Sequence, residues 1–125
     1  WINSIKLAEE LSQKNLPGVY FIPAAFTPFA GKYKDEKCEG VELLVFNKRK
    51  FNPIITTVTL FYELFQHYAE DIEWLVSKGN YWVDLLWGGD SFRTHIEVQA
   101  IEPLLEEVGK GLDDFKKIAR EVYLY

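Results

Sequence analysis

The sequence predicts an α+β fold in a single domain, with about four helices packed on a small β-sheet. Several segments carry apolar residues at helical spacing, and two others are rich in the β-branched and aromatic residues typical of strands. A chain of 125 residues with 48% hydrophobic content is sufficient for one core but not for two. No internal repeat or flexible linker divides it.

The first predicted helix covers about residues 4–14, with Asn3 or Ser4 as its cap, and a Leu-Pro-Gly sequence ends it. A strand follows over residues 18–26. A second strand covers residues 41–46, and because its apolar residues are consecutive we expect it to be covered on both faces.

Residues 27–39 form a connection that is too long for a tight turn and is therefore a candidate functional loop. A helix is predicted over about residues 53–69, short elements joined by turns over 71–91, and a short helix from Asp90 or Ser91 to about Val98. The core stripe of the 53–69 helix is predicted to be Ile54, Ile55, Val58, Phe61, Tyr62, Phe65 and Tyr68. The packing seam of a last helix is predicted to be Ile101, Leu105, Val108, Leu112, Phe115, Ala119 and Val122.

The charge and the motifs exclude several classes of function. A net charge of −5 disfavours nucleic acid as a partner. No apolar run is long enough for a membrane span. The two histidines, His67 and His95, belong to no metal-ligating pattern, and the phosphate-loop, dinucleotide and nucleophile-elbow motifs are absent, so we predict no metal and no cofactor.

Cys38 is the only cysteine, so no disulfide can form within the chain. The simpler interpretation is a small apolar residue where a loop meets a strand. The alternative is a reactive thiol, which would need a positive field. Lysines lie near Cys38 in the sequence, but so do carboxylates, and the signal for catalysis is weak.

The segment around Trp82 and Trp87 is rich in aromatic residues and glycine, and it contains Asp84 and Asp90. Aromatic rings beside carboxylates are what sugar binding requires, since rings stack on C–H faces and polar groups bind hydroxyls. The plainer alternatives are core packing for the rings and a helix cap for Asp90.

Several motifs resemble those of one family: the LPGV turn, the F-TP element, the KY pair and the C-x-GV sequence, followed by FNPI, an arginine-containing helix and a terminal YLY. Together they resemble the C-terminal domain of the bacterial exo-β-N-acetylmuramidase family, formerly a domain of unknown function. The likeness extends over almost the whole chain and is most specific at residues 16–46. A chain that begins at Trp1 and contains no Met also favours a piece of a longer polypeptide.

The resemblance implies that this is the accessory, substrate-framing domain of a glycoside hydrolase. A Rossmann-like N-terminal domain of the same polypeptide would supply the catalytic carboxylate, and the cleft between the two would remove terminal N-acetylmuramic acid from peptidoglycan fragments. A role in bacterial cell wall recycling, in the periplasm or outside the cell, follows from that substrate.

The resemblance also assigns individual residues. Thr27, Pro28, Lys32, Tyr33, Cys38 and Gly40 match the family's loop, and Gly89 and Arg93 match its later glycine and arginine. Lys32, Tyr33, Trp82, Asp84 and Arg93 are the expected substrate-binding residues. Pro28, Cys38, Gly40 and Gly89 are the expected structural ones, and Lys32 is the candidate for binding a lactyl carboxylate.

Two alternatives stay open. A free-standing carbohydrate-binding module would present Trp82 or Trp87 as an exposed platform. A structural or dimerising domain would leave the 101–122 seam, or the strand edge at Pro23, without a partner in the monomer.

Overall fold

A computed structural model describes residues 1–122; the YLY sequence of the family resemblance lies outside the described residues. The fold is α+β, as predicted, with five α-helices, one short 3-10 helix and two antiparallel strand pairs among the described residues. The chain divides into two compact units, Trp1–Glu73 and Trp74–Tyr125.

The first unit is built on a long antiparallel pair, β1 (Val19–Phe26) and β2 (Cys38–Val45). The register runs from Val19 opposite Val45 to Phe26 opposite Cys38. The loop of residues 27–37 therefore connects the two strands directly, and Cys38 occupies the first paired position after it.

Two helices complete this unit, α1 (Ser4–Gln13) and α2 (Pro53–Tyr68). The Asn3 side chain caps α1 by accepting from the backbone N of Lys6, and Asn52 caps α2 in the same manner. Helix α1 packs on one face of the strand pair and α2 packs against α1. The core between helix and strands consists of Leu7, Ala8, Leu11, Val19 and Phe21.

The prediction for α2 was right in its bounds and partly wrong in its stripe. Val58 and Phe65 are buried, but Ile54 is 43% exposed. Polar residues occupy other buried positions of this helix: Thr56, Thr59 and Glu63. Helical spacing locates an apolar face, but it does not reveal which polar side chains find partners under it.

The expectation that the second strand is covered on both faces was wrong for this chain. Leu44, opposite Tyr20 on the outer face, is 48% exposed, and Leu43, opposite the buried Phe21 on the face that α1 contacts, is 39% exposed. Neither face of this strand is therefore fully covered by the described residues. The strand also begins at Cys38, three positions before the predicted start.

The second unit contains a two-residue hairpin, β3 (Val76–Ser77) with β4 (Asn80–Tyr81), and three helices: α3 (Trp82–Trp87), α4 (Ser91–Glu97) and α5 (Ile101–Val122). Asp90 occupies the cap position of α4, but its side chain makes no capping hydrogen bond. No helix within residues 1–122 has the length and apolarity needed to cross a membrane.

The predicted seam of α5 was largely wrong. Leu104, which is not among the predicted positions, is fully buried, whereas Leu112, Phe115 and Val122 are 42%, 65% and 70% exposed. Of the predicted seam, only Ala119 is buried. The apolar stripe exists, but among the residues of α5 only Leu104 and Ala119 are buried.

Candidate functional site

The loop between β1 and β2 is folded by its own backbone hydrogen bonds. The backbone N of Asp35 donates to the carbonyl O of Pro28 at 2.8 Å, and Glu36 donates to Tyr33 at 3.2 Å. Gly31 has a φ of +92°, a conformation that glycine adopts without strain. These contacts give the KY pair at residues 32–33 a defined position.

Lys32 and Tyr33 line a cavity of about 240 Å³ in the first unit, together with Trp1. The Nζ atom of Lys32 lies 5.2 Å from the centre of the Tyr33 ring. Trp1 packs on Tyr68 with their ring centres 5.6 Å apart. The remaining lining residues are Phe61, Leu64, Asp71, Ile72 and Glu73. The cavity therefore combines aromatic rings, one ammonium group and two carboxylates, the groups that bind a charged sugar.

Two charged residues at the end of the loop fix the start of β2 to α1. Lys37 donates to Glu39 at 2.7 Å, and the Ser4 hydroxyl donates to the other oxygen of Glu39 at 3.1 Å. The hydrogen bond from Lys37, followed by that from Ser4, lowers the pKa of Glu39, and the same contact with Glu39 raises the pKa of Lys37.

Cys38 and Gly40, for which the resemblance implies structural roles, lie at the beginning of β2. The thiol of Cys38 donates weakly to the carbonyl O of Glu36 at 3.7 Å. A side chain at Gly40 would meet no atom within 4 Å. The structural roles of Cys38 and Gly40 stay predictions. Because a Cβ at position 40 would meet no neighbour, close packing of the backbone does not explain why this residue is a glycine.

In the second unit the structure brings Asp84 and Arg93 together, but it pairs them with each other. Arg93 donates from Nε and Nη2 to both oxygens of Asp84 at 2.9–3.1 Å, and its guanidinium stacks 4.1 Å from the centre of the Tyr81 ring. Hydrogen bonding to Asp84 raises the pKa of Arg93. This bidentate ion pair between Asp84 and Arg93 therefore fixes α3 to α4.

A second cavity, of about 460 Å³, is bordered by this pair through Asp84 and by the glycine turn after α3. Gly88 ends α3 with a φ of +91°. Gly89 donates its backbone N–H to the backbone carbonyl O of Asp84, and a Cβ at Gly89 would meet no atom within 4 Å. The left-handed residue of this turn is thus Gly88, the neighbour of the glycine that matches the family.

Trp82 and Trp87 do not form a platform. They lie five positions apart on α3, which rotates their side chains well away from each other. Trp82 is 46% exposed. Trp87 packs on Phe92, and its indole N–H donates to Ser91, whose hydroxyl donates to Glu107. The side-by-side platform of the carbohydrate-binding alternative therefore does not form, although Trp82 remains exposed.

Within residues 1–122, Glu10, Glu63 and His67 form the only group of three potential metal-ligating side chains, with ligand atoms within 4.8 Å of one another. Two lysines already neutralise its carboxylates. The Nζ atom of Lys14 lies 2.7 Å from the buried Glu63, and the Nζ atom of Lys6 lies 3.8 Å from Glu10. His67 lies between them, with Nδ1 3.4 Å from Lys6 and Nε2 2.8 Å from Glu10. This arrangement is an ion-pair network that joins α1 to α2.

The predicted binding residues thus fall into two separate sets: Lys32 and Tyr33 in the first unit, and Trp82, Asp84 and Arg93 in the second. Sequence reasoning missed Trp1, Asp71 and Glu73 as cavity-lining residues. They lie just outside the periodic segments, where no pattern signals a role, and only the folded chain brings them to Lys32.

Comparison with known proteins gives three matches. The family model described as "Exo-beta-N-acetylmuramidase NamZ, C-terminal" matches residues 1–125. The peptidoglycan beta-N-acetylmuramidase NamZ of Bacillus subtilis (strain 168) is 34% identical over 126 residues, which cover 100% of this chain and 30% of that protein. A crystal structure of a DUF1343 family protein from Bacteroides fragilis has a TM-score of 0.81 and 26% identity, covering 100% of this chain and 33% of that one. The chain spans about a third of the length of each relative.

Proposed function

Because the chain belongs to the family of the C-terminal domain of the exo-β-N-acetylmuramidase NamZ, we propose that it frames the substrate of a peptidoglycan glycoside hydrolase. The catalytic groups lie in an N-terminal, Rossmann-like domain of the same polypeptide, and this domain alone hydrolyses nothing. The whole enzyme works on cell wall fragments in the periplasm or outside the cell. The observation that carries the proposal is the cavity in which the KY pair meets Trp1 and two carboxylates.

The cavity suits one feature of N-acetylmuramic acid, the lactyl carboxylate. Lys32 supplies a positive charge and donors for it, and its neighbour Tyr33 supplies a ring face for the sugar. Asp71 and Glu73 supply acceptors for hydroxyl groups. N-Acetylglucosamine has the same ring without the lactyl group, so it should bind more weakly.

The binding test is a calorimetric titration of this chain with N-acetylmuramic acid and with N-acetylglucosamine. Lys32→Gln should abolish the preference for N-acetylmuramic acid. Lys34→Gln is the matched control, because Lys34 lies in the same loop and pairs with Asp35 outside the cavity. Equal loss in both variants would mean that general positive charge, and not the cavity, binds the carboxylate.

The activity test uses the full-length gene product and a disaccharide with a terminal N-acetylmuramic acid. Release of that sugar is expected, and Lys32→Gln should raise KM with a smaller effect on kcat, because a framing residue contributes binding shared by the ground and transition states. A folded full-length protein that releases no sugar would contradict the proposal.

The exposed face of α5 favours a second candidate function, self-association. Phe115 and Ile118 are each 65% exposed, on a helix otherwise rich in charge. Sedimentation velocity over a range of concentrations tests it: a dimer that Phe115→Lys converts to a monomer would support this function, and a monomer at every concentration would exclude it.

A further inference from the structure

The outer face of the β1–β2 pair is apolar and exposed. Val19 and Phe21 point toward α1 and are buried, whereas Tyr20, Ile22 and Phe26 on the opposite face are 58%, 42% and 60% exposed. Tyr20 stacks on Phe46, with ring centres 4.4 Å apart and an angle of 20° between the planes. Strand pairing and stacking hold these side chains in place, so the surface exists before any partner binds.

The composition of this face is unusual for a solvated surface. The paired positions opposite Tyr20, Ile22, Ala24 and Phe26 are Leu44, Glu42, Gly40 and Cys38. Among these paired positions of the described chain, Glu42 is the only charged residue. Antiparallel strands with one solvated face alternate apolar and polar residues, whereas apolar residues on both faces are typical of strands between two layers.

We propose that this outer sheet face, defined by Tyr20, Ile22, Phe26, Leu44 and Phe46, is the surface on which the N-terminal region of the longer polypeptide docks. The inference rests on the proposed function, in which such a region exists. The matching family model is a C-terminal one, and the Bacillus relative is matched over only 30% of its length, so the rest of such a protein is large enough to cover the face.

The size of the face agrees with this occupant. Aromatic side chains bury roughly 150–250 Å² each, so three half-exposed rings and two aliphatic residues offer on the order of 400 Å². Interfaces between domains of one chain bury about 600–1,500 Å² in total, or about half of that on each side. The face is therefore of the right size for a neighbouring domain.

Two features of β1 are consistent with docking on the face. Pro23 lies in the middle of β1 and has no N–H for an added strand, so the free edge of β1 resists extension. Phe26, at the end of the face, leads directly into the loop that carries Lys32 and Tyr33. A domain docked on the face would thus lie beside that loop.

Hydroxyl-radical footprinting of the full-length gene product and of this chain tests the inference. Oxidation of Tyr20, Phe26 and Phe46 should be several-fold slower in the full-length protein, and oxidation of the control Leu86, which is 83% exposed on α3, should be unchanged. Equal oxidation of the face in both proteins would overturn the inference. Protection that develops in this chain alone as its concentration rises would assign the face to a second copy and would also overturn it.

Substitution gives an independent readout. The double variant Tyr20→Thr, Phe26→Thr places β-branched residues, which favour strands, at both positions. It should lower the thermal midpoint of this chain only slightly, through loss of the Tyr20–Phe46 ring contact, and accelerate protease cleavage between the parts of the full-length protein; unchanged cleavage would count against docking. Sugar release assayed in the same preparations separates the two proposals. Protection of the face without sugar release supports docking and refutes the proposed function. Sugar release without protection of the face supports the proposed function and refutes docking.

Discussion

Replacing Gly18 with alanine should strongly destabilise the first unit. Gly18 has a φ of +81°, and a Cβ there would lie 2.4 Å from the carbonyl O of Asn47 and 2.9 Å from the backbone N of Phe51. The left-handed conformation costs an alanine about 1–2 kcal/mol. Forcing the backbone apart costs about 1–3 kcal/mol more. The expected loss is thus about 2–5 kcal/mol, a large share of the roughly 5–15 kcal/mol of a typical domain.

Two other glycines separate these contributions. Gly31 has a φ of +92° with no atom near a Cβ, so Gly31→Ala should cost only the conformational part, about 1–2 kcal/mol. Gly40 has neither feature, so Gly40→Ala should change stability by less than about 0.5 kcal/mol. Urea unfolding at unchanged m-value measures all three. If Gly18→Ala costs no more than Gly31→Ala, the segment from Asn47 to Phe51 yields without penalty and the steric reasoning is refuted.

Three further predictions concern stability. Lys14→Ala should cost about 1–3 kcal/mol in urea unfolding, because it leaves the buried Glu63 without its partner, and it should cost less in a Glu63→Gln background; an equal cost would contradict the pairing. The pKa of Glu39 is lowered on folding, so its stabilising contribution is present at neutral pH and is lost as the pH falls below the ordinary value of about 4.3. The drop in thermal midpoint between neutral and acidic pH should therefore be smaller in Glu39→Gln, and an identical drop would refute the linkage. Leu104→Ala should lower the free energy of unfolding by about 2–5 kcal/mol and Leu112→Ala by less than about 1 kcal/mol, because Leu104 is 0% exposed and Leu112 is 42% exposed. A larger loss in Leu112→Ala than in Leu104→Ala would support the seam predicted from the sequence.

Local signals in the sequence were sufficient for the helices of the first unit. Asn3 caps α1, and Asn52 with the proline after it starts α2, so both helices begin where side-chain chemistry requires. These signals act over three or four residues and need no knowledge of the rest of the fold.

Burial was harder to predict, because it depends on what covers a face. The apolar run of β2 indicates two covered faces, and the described residues fully cover neither. In α5 the spacing of apolar residues is regular, but only Leu104 and Ala119 are buried. Periodicity shows which residues share a side of a helix, but it does not indicate whether another element packs on that side.

The candidate site was predictable only where one short loop forms it. Lys32 and Tyr33 are adjacent in sequence and share a cavity. Asp84 and Arg93 were predicted as separate substrate-binding groups. They instead form an ion pair with each other, between α3 and α4. Ion pairing between two candidates cannot be read from their types alone, since each is equally suited to bind a ligand.

The distribution of the indoles gives each unit its own optical signal. Trp1 is the only tryptophan of the first unit and lies at the Lys32 cavity, whereas Trp74, Trp82 and Trp87 belong to the second. In the variant Trp1→Phe, tryptophan fluorescence reports on the second unit alone. In a variant with Trp74, Trp82 and Trp87 replaced by Phe, it reports on the first unit alone. Coincident denaturation curves from these two variants would identify one cooperative folding unit, and separate curves would identify two. The single-tryptophan protein would also be a direct sensor of sugar entering the cavity.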